Sequence, residues 1–590
     1  TWISDSHWYI QGLCTQASAY MLGANRFLAD LAQRLGKDPA PYRERAERIR
    51  AAMQEKLWMK DEGVFAEYLD TRGEKLLHTE PELPTIYHSA EFGAVDDRQL
   101  GQMLDWVDGR LRHGKTPGGG TLVWSSNWYP NNGRSYTHST YEMAYGEEMN
   151  LALTEFLAGR ANDGYALIRA SLCGVFNGPT PGGLSCHSYS DGRQRANDEF
   201  ADASSMWGRA VVEGLFGIKP KRPDGVIELT PQLVGDWPSA SIESPQFSYT
   251  WRRDAAPLPR LVIEWSTPTP ASVHLRLPSA WGIQEVRVDE KVATPETDAS
   301  GVWVTVRTPE AGKGTFEVSY ENARPAVPPH KREPQKKAPL ETSKPLPLET
   351  HDLAKWRPID LSGVFNSTIL DALEKVYKDA TPPPDGVSRV GFDYWRSHLS
   401  PVHHGERVQM PSDAAWRAKV GEDGVAWTRD GIPFKTAKEG PNIGVVTQAG
   451  GFPKEMSFPV KAAGKTLYLM LSGMSFPVQS HTVHLRLTLK YADSSEQQLE
   501  LTSPAMIGDC WSTWCNRWHD TAANGFENIG GRSGPAGSPD VPDMTKPVNV
   551  DTEAHLVAIP LHGGATLDTV RLEAVANDII FGVMGASVLK

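Results

Sequence analysis

The run Trp207-Gly208-Arg209-Ala210-Val211-Val212-Glu213-Gly214-Leu215-Phe216-Gly217-Ile218 leads into Ile227-Glu228-Leu229-Thr230-Pro231-Gln232-Leu233 and Asp236-Trp237-Pro238-Ser239-Ala240. Here the chain changes period. Met206, Ala210, Val211 and Leu215 lie on one helical face over 203–216, whereas residues beyond 224 alternate in steps of two. A helix ends at this junction and strands begin. The molecule therefore divides into a helical part before it and strand-rich parts after it.

Upstream, the periodicity is helical back to the start of the chain. Over 39–57, Tyr42, Ala46, Ile49, Met53 and Leu57 share a face, with Asp38 as cap and Pro39 in the first turn. Over 97–112 the apolar positions follow Asp96 and Gln99, the pattern of a capping box. Further helices are predicted at 6–35, stopped by Gly36, at 140–158, and at 162–173 behind Asn162, with a shorter one near 80–92. Those at 39–57 and 97–112 are cleanly amphipathic. Those at 6–35, 140–158 and 203–216 carry aromatic and polar groups near their N-termini. A one-sided helix covers a core, and a helix lined on both sides belongs to an inner layer. The alternation predicts concentric layers of helical hairpins.

Downstream, Leu261–Trp265, Val273–Leu277 and Val302–Val306 read as strands of a β-sandwich. Residues 323–350 hold seven prolines and six Lys/Arg with no apolar period, the composition of an extended linker. Val483, Leu485, Leu487 and Leu489 then alternate with polar residues, and 579–584 reads as a buried last strand. The fold class is multidomain α + β: helices over 1–220, a β-sandwich over 221–322, the linker over 323–350, and a jelly-roll sandwich over 351–590.

Length agrees, since 590 residues require several domains. A formal charge of -12 argues against a nucleic-acid partner and an anionic membrane surface. No apolar run reaches about 18 residues, so no membrane partner is expected. Five cysteines make no disulfide framework, and Cys510, Cys515 and His519 are poorly spaced for zinc. No metal and no cofactor are expected. Phosphate-loop, dinucleotide, zincin and nucleophile-elbow motifs are absent from the sequence.

What remains is acids beside flat rings. One cluster holds Asp5, Trp8 and Tyr9. A second runs from Asn127, Trp128 and Tyr129 through Tyr136 and His138 to Glu147. A third holds Glu199, Asp202 and Arg209. Rings stack on the C–H faces of sugars while carboxylates bind hydroxyls, and glycosidic cleavage needs two carboxyl groups. Capping of helices by Asp5 and Asp202 is the structural alternative.

The run 207–218 and its junction resemble the six-hairpin glycosidases, the (α/α)6-toroid superfamily of glucoamylase-like, rhamnosidase-like and fucosidase-like enzymes. The resemblance covers 1–320. It implies a toroid of twelve helices, of which 203–216 is the last and 6–35 the sixth. An upstream segment, in the same protein or as a separate chain, would then complete the ring. It also implies an inverting glycosidase with Asp5 as acid and Asp202 as base, Glu199 being the close substitute for the base and Glu147 an alternative acid. Trp8, Tyr9, Trp128 and Tyr129 would wall the sugar pocket. Asn127, Tyr136, His138 and Arg209 would bind the substrate, a plant or algal oligosaccharide or polysaccharide. Such a substrate implies a periplasmic or secreted bacterial protein. The segment Asp430-Gly431-Ile432-Pro433-Phe434 resembles appended carbohydrate-binding jelly rolls. Two rival readings remain: a polysaccharide lyase using Tyr136, His138, Tyr141 and Asn127, and a glycan-binding protein without catalysis.

Overall fold

The computed structural model describes residues 2–4, 7–8, 12–127, 143–177, 187–188, 202–235, 237–254, 259–329, 352–378, 412–448, 450–475, 482–502, 506–507, 511–512, 526–528, 551–577 and 579–590. Among the described residues of the first part there are seven α-helices: α1 (Thr15–Arg34), α2 (Ala40–Lys56), α3 (Leu83–Glu91), α4 (Asp97–Arg110), α5 (Tyr145–Leu157), α6 (Ala161–Asn177) and α7 (Asp202–Arg209). The capping box at Asp96 and Gln99 forms as predicted.

The first helix starts at Thr15 rather than near Ser6. Before it, Trp2–Ser4 pairs with His7–Trp8, and Leu13–Cys14 pairs with Tyr68–Leu69. His7 and Trp8 thus lie in a strand rather than in a helix. Thr15 anchors the helix start: its N–H donates to the Glu67 carbonyl at 3.1 Å and its hydroxyl to the Ala66 carbonyl at 2.5 Å. Asn162 is a second departure. It lies inside α6, and its side chain accepts the Gly235 N–H at 2.7 Å.

α1 packs on α2 and α3, α3 on α4 and α5, and α5 on α6 and α7. The odd-numbered helices thus form one layer and α2, α4 and α6 another. Leu22, Met53, Ile86, Met103, Leu104, Met149 and Phe156 share the core between them. One side of α1 remains open: Tyr20, Met21, Phe27, Leu28, Leu31 and Leu35 are all exposed.

Beyond α7 the turns widen over Ala210–Leu215, where the Phe216 N–H donates to the Val211 carbonyl five residues back. Gly217 then turns the chain into the sandwich. Its φ is +63°, and a Cβ there would lie 1.9 Å from the Thr230 carbonyl oxygen, so only glycine fits.

The two strands predicted at 261–265 and 273–277 are halves of one, Arg260–Pro278. Its first half pairs with Ser248–Asp254 and Ala311–Tyr320. Its second half pairs with Val226–Leu229 and Trp303–Arg307. Leu261, Ile263, Val273, Leu275 and Leu277 meet in a single core, which is how one strand serves both sheets. Residues 323–329, the start of the proline-rich stretch, fold back on the helices. The Val327 N–H donates to the Ala158 carbonyl, and the buried Arg160 donates to the Val327 carbonyl and to Asp105.

The C-terminal part is a second sandwich, of a seven-stranded and a four-stranded sheet. Leu467, Leu469, Leu485, Leu487, Val570 and Leu572 fill the space between them. Helix Ile369–Lys378, which the sequence reading did not separate from the strands, covers the outer face of the larger sheet with Ile369, Leu373 and Val376.

Candidate active site

Three inner-layer elements converge where their helices begin. Between the strands Val64–Phe65 and Tyr68–Leu69, the latter paired with Leu77–His78, lies Glu67, which receives the start of α1 through its carbonyl. Its carboxylate accepts the N–H of Glu82, the residue capping α3, at 2.9 Å. The next N–H, that of Leu83, donates to the Ser125 carbonyl. In the first turn of α5, Glu148 accepts the Val123 N–H at 2.8 Å, and Glu147 accepts the Tyr87 hydroxyl. Four glutamates thus gather where helix N-termini present positive potential.

The group is graded from interior to surface. Glu67, Glu82 and Glu148 are wholly buried, and Glu147 is half-buried. Neither carboxyl oxygen of Glu82 has a hydrogen-bond partner. Burial, followed by the charges of Glu67 and Glu147, raises the Glu82 carboxyl well above the ordinary carboxylate range. Burial thus favours its protonated form. Glu148 is also raised by burial; its bond from Val123 opposes the shift and the Glu147 charge adds to it. Tyr87 is raised by burial, then by the charge of Glu147 and its hydrogen bond to it.

Nearer solvent, the Tyr20 hydroxyl lies 2.5 Å from Nε2 of His88. His88 Nδ1 faces the Pro84 carbonyl at 3.2 Å, which assigns the proton to Nδ1 and makes Nε2 the acceptor. Burial, then the Arg209 charge, pushes the imidazole down to about 3, so it is neutral at physiological pH. Arg209 bridges Glu91 of α3 at 2.5 Å and Glu213 at 3.1 Å. The arrangement holds a carboxyl at a half-open position, backs it with buried acids, and rims it with a phenol and a guanidinium.

Of the residues read from sequence, Glu147 and Arg209 enter this group. Asn127 is buried, and its amide donates to the Arg110 carbonyl at 2.8 Å. Asp5, Tyr9, Trp128, Tyr129, Tyr136, His138, Tyr141 and Glu199 lie outside the described residues, as do Cys510, Cys515 and His519. So do the side chains of Trp8 and Asp202, whose backbones belong to a strand and to the start of α7. Among the described residues no group of His, Cys, Asp and Glu is arranged to hold a metal. Sequence reading missed Glu67, Glu82, Tyr87 and His88. The available signal was Glu82-Leu83-Pro84, an acid before a first-turn proline.

Several solved structures are similar to parts of the chain. An α-L-rhamnosidase from Dictyoglumus thermophilum is 12% identical with a TM-score of 0.32, over 51% of this chain and 31% of its own. One from Streptomyces avermitilis is 15% identical with a TM-score of 0.29, over 51% and 26%. A GH127 β-L-arabinofuranosidase from Geobacillus stearothermophilus is 10% identical with a TM-score of 0.20, over 42% and 43%. The matched region thus spans a third or less of either rhamnosidase. No curated protein matches the sequence. Residues 10–112, which include α1 to α4 together with Glu67 and Glu82, match the family described as the mannosylglycerate hydrolase MGH1-like glycoside hydrolase domain. Over that segment this chain is similar to a glycoside hydrolase domain.

Proposed function

We propose that the protein is a glycoside hydrolase and that Glu147 is one of its two working carboxyls. One observation carries the reading. The segment matching a glycoside hydrolase domain supplies Glu67, Glu82, Tyr87 and His88 to the group that surrounds Glu147. The resemblance implies Asp5, ahead of α1, as the acid and Glu147 as the alternative; the buried glutamates around Glu147, in the first turn of α5, favour Glu147. Asp202, at the start of α7, takes the role of base, with Glu199 its substitute; α7 packs against α5. Glu147 protonates the leaving oxygen while the base activates water on the opposite face of the ring, inverting the anomeric centre. Trp8, Tyr9, Trp128 and Tyr129 wall the pocket, and Tyr136, His138 and Arg209 bind the sugar. The substrate class is a plant or algal oligosaccharide or polysaccharide, and the place of action is the periplasm or the outside of a bacterial cell.

We further propose a helical segment packed on the open side of α1, either upstream in the same protein or on a separate chain. Support comes from the exposed Phe27, Leu28, Leu31 and Leu35, each of which would contribute about 1.5–3 kcal/mol on burial.

The test is a screen of the protein, with that segment present, against plant and algal oligosaccharides, mannosylglycerate and aryl rhamnosides and fucosides. The expected result is sugar release with inverted anomeric configuration, lost in Glu147→Gln. An unsaturated product would identify a lyase instead. Sugar binding with no product would identify a binding protein.

A further inference from the structure

The loop joining Tyr68–Leu69 to Leu77–His78 reaches across to the C-terminal sandwich. There Arg72 donates its backbone N–H to the Asn577 side chain at 2.9 Å and its guanidinium to the Gln448 carbonyl at 2.8 Å. Asn577 answers: its own N–H donates to Asp70 at 3.0 Å. Arg486 grips both carboxylate oxygens of Glu74. Between these contacts Gly73 lies flat on the sandwich with φ +53°, and a Cβ there would sit 2.8 Å from the Val575 carbonyl.

The contact continues inward. The second oxygen of Asp70 meets His78 Nε2 at 2.8 Å, in a fully buried pair. His78 stacks on Tyr68 with ring centroids 3.7 Å apart, and its carbonyl accepts the Glu67 N–H at 2.8 Å. Glu67 in turn holds the Glu82 N–H. An unbroken series of hydrogen bonds and one ring stack therefore joins Asn577 to the carboxyl group beside Glu147.

We propose that the C-terminal sandwich is a buttress for the catalytic hairpin, with Asn577 and Arg486 as positioning residues that fix Glu67, and through it Glu82, against Glu147. This rests on the reading of Glu147 as a working carboxyl. It gives the sandwich a role distinct from binding glycan. A carboxyl set works only in a narrow geometry, and holding its hairpin at both ends supplies that geometry.

The test uses Asn577→Ala, which removes the acceptor of the Arg72 N–H, and Glu74→Ala, a cut at a half-exposed side chain that leaves the fold intact. On an oligosaccharide turned over in the screen, each variant is expected to lower kcat about 10–100-fold with KM within about twofold. Amide hydrogen exchange at Tyr68, Leu69 and His78 should speed up while the melting temperature holds. Glu74→Gln, which keeps an acceptor for Arg486, should restore part of kcat. Glu74→Ala combined with Arg486→Ala should lose no more than either alone. Wild-type kcat in both single variants, or a rise in KM with kcat unchanged, would overturn the proposal. Hydrogen exchange needs no substrate, so the two ideas separate. Full activity in Glu147→Gln sinks the site assignment, and unchanged exchange in Glu74→Ala and Asn577→Ala sinks the buttress.

Discussion

α3 and the last strand, Ile579–Leu589, are both inner elements covered on two sides, and they are filled in opposite ways. The strand is apolar almost throughout. Ile580 and Met584 enter one core, and Ile579, Phe581, Val583, Ala586 and Val588 the other, with Ser587 as its one buried hydroxyl. α3 buries Leu83 to Ser89 just as fully but includes Thr85, His88 and Ser89, and Glu82 caps it. The Thr85 and Ser89 hydroxyls and both Glu82 oxygens lack hydrogen-bond partners. Each apolar side chain of the strand contributes about 1.5–3 kcal/mol. Each unsatisfied polar group of the helix costs about 1–3 kcal/mol. The strand has one such group, the Ser587 hydroxyl, against four in α3 and its cap, and this concentration in one inner element marks the element that serves chemistry.

The contrast is broken most severely at Glu147. Replacing it with glutamine should lower turnover about 10²–10⁴-fold with the melting temperature nearly unchanged, as measured by steady-state kinetics beside a thermal melt. Phe581→Ala should do the reverse, costing about 3–5 kcal/mol in denaturant unfolding while the folded fraction keeps its specific activity. A smaller effect belongs to Glu82. Its carboxyl is raised in the fold, so the unfolded chain releases that proton first. Wild-type stability should therefore fall as pH rises above the ordinary carboxylate range, by at most about 1.4 kcal/mol per pH unit. Glu82→Gln should remove that decline, giving a variant more stable near neutral pH and less active.

His88 tilts the same curve the other way. Burial holds it and His484 neutral down to about 3, while the unfolded imidazole protonates near 6.5. Their contribution is complete above 6.5 and is lost as pH falls toward 3, each at about 1.4 kcal/mol per pH unit. Denaturant midpoints across that range, for wild type and His484→Gln, measure the slope. The smallest effect is expected at the open side of α1. Phe27→Asp, at a side chain 67% exposed in the wild type, should leave the unfolding free energy within about 0.5 kcal/mol of its value. If a helical segment covers that side, the same variant should fail to assemble with it.

Much of the fold was legible because it rests on local period. α2 and α4 show clean stripes with caps, and the alternating leucines of 483–489 lie in a strand as read. The start of α1 was not legible. Thr15 begins a helix only because Glu67 and Ala66, some fifty positions away, accept its donors. The long strand Arg260–Pro278 read as two because Pro268 and Pro270 interrupt its apolar alternation, and its pairing with Ala311–Tyr320 shifts register across them. At the site, Glu147 was visible from its ring-rich neighbourhood. Glu67 and Glu82 were not, since a buried acid between two short strands and another at a short helix cap carry no periodic signature. The grip of Asn577 on Asp70 spans most of the chain and leaves no trace in local pattern.

One measurement bears directly on the claim that Glu147 delivers a proton to the leaving oxygen. Glu147→Gln should be compared with wild type on two aryl glycosides of the productive sugar, one with a strongly acidic phenol and one with a weakly acidic phenol. Loss of a general acid should scarcely slow release of the first, which departs unaided, and should slow the second about 10²-fold or more. Equal losses on both, or wild-type rates on both, would contradict the account.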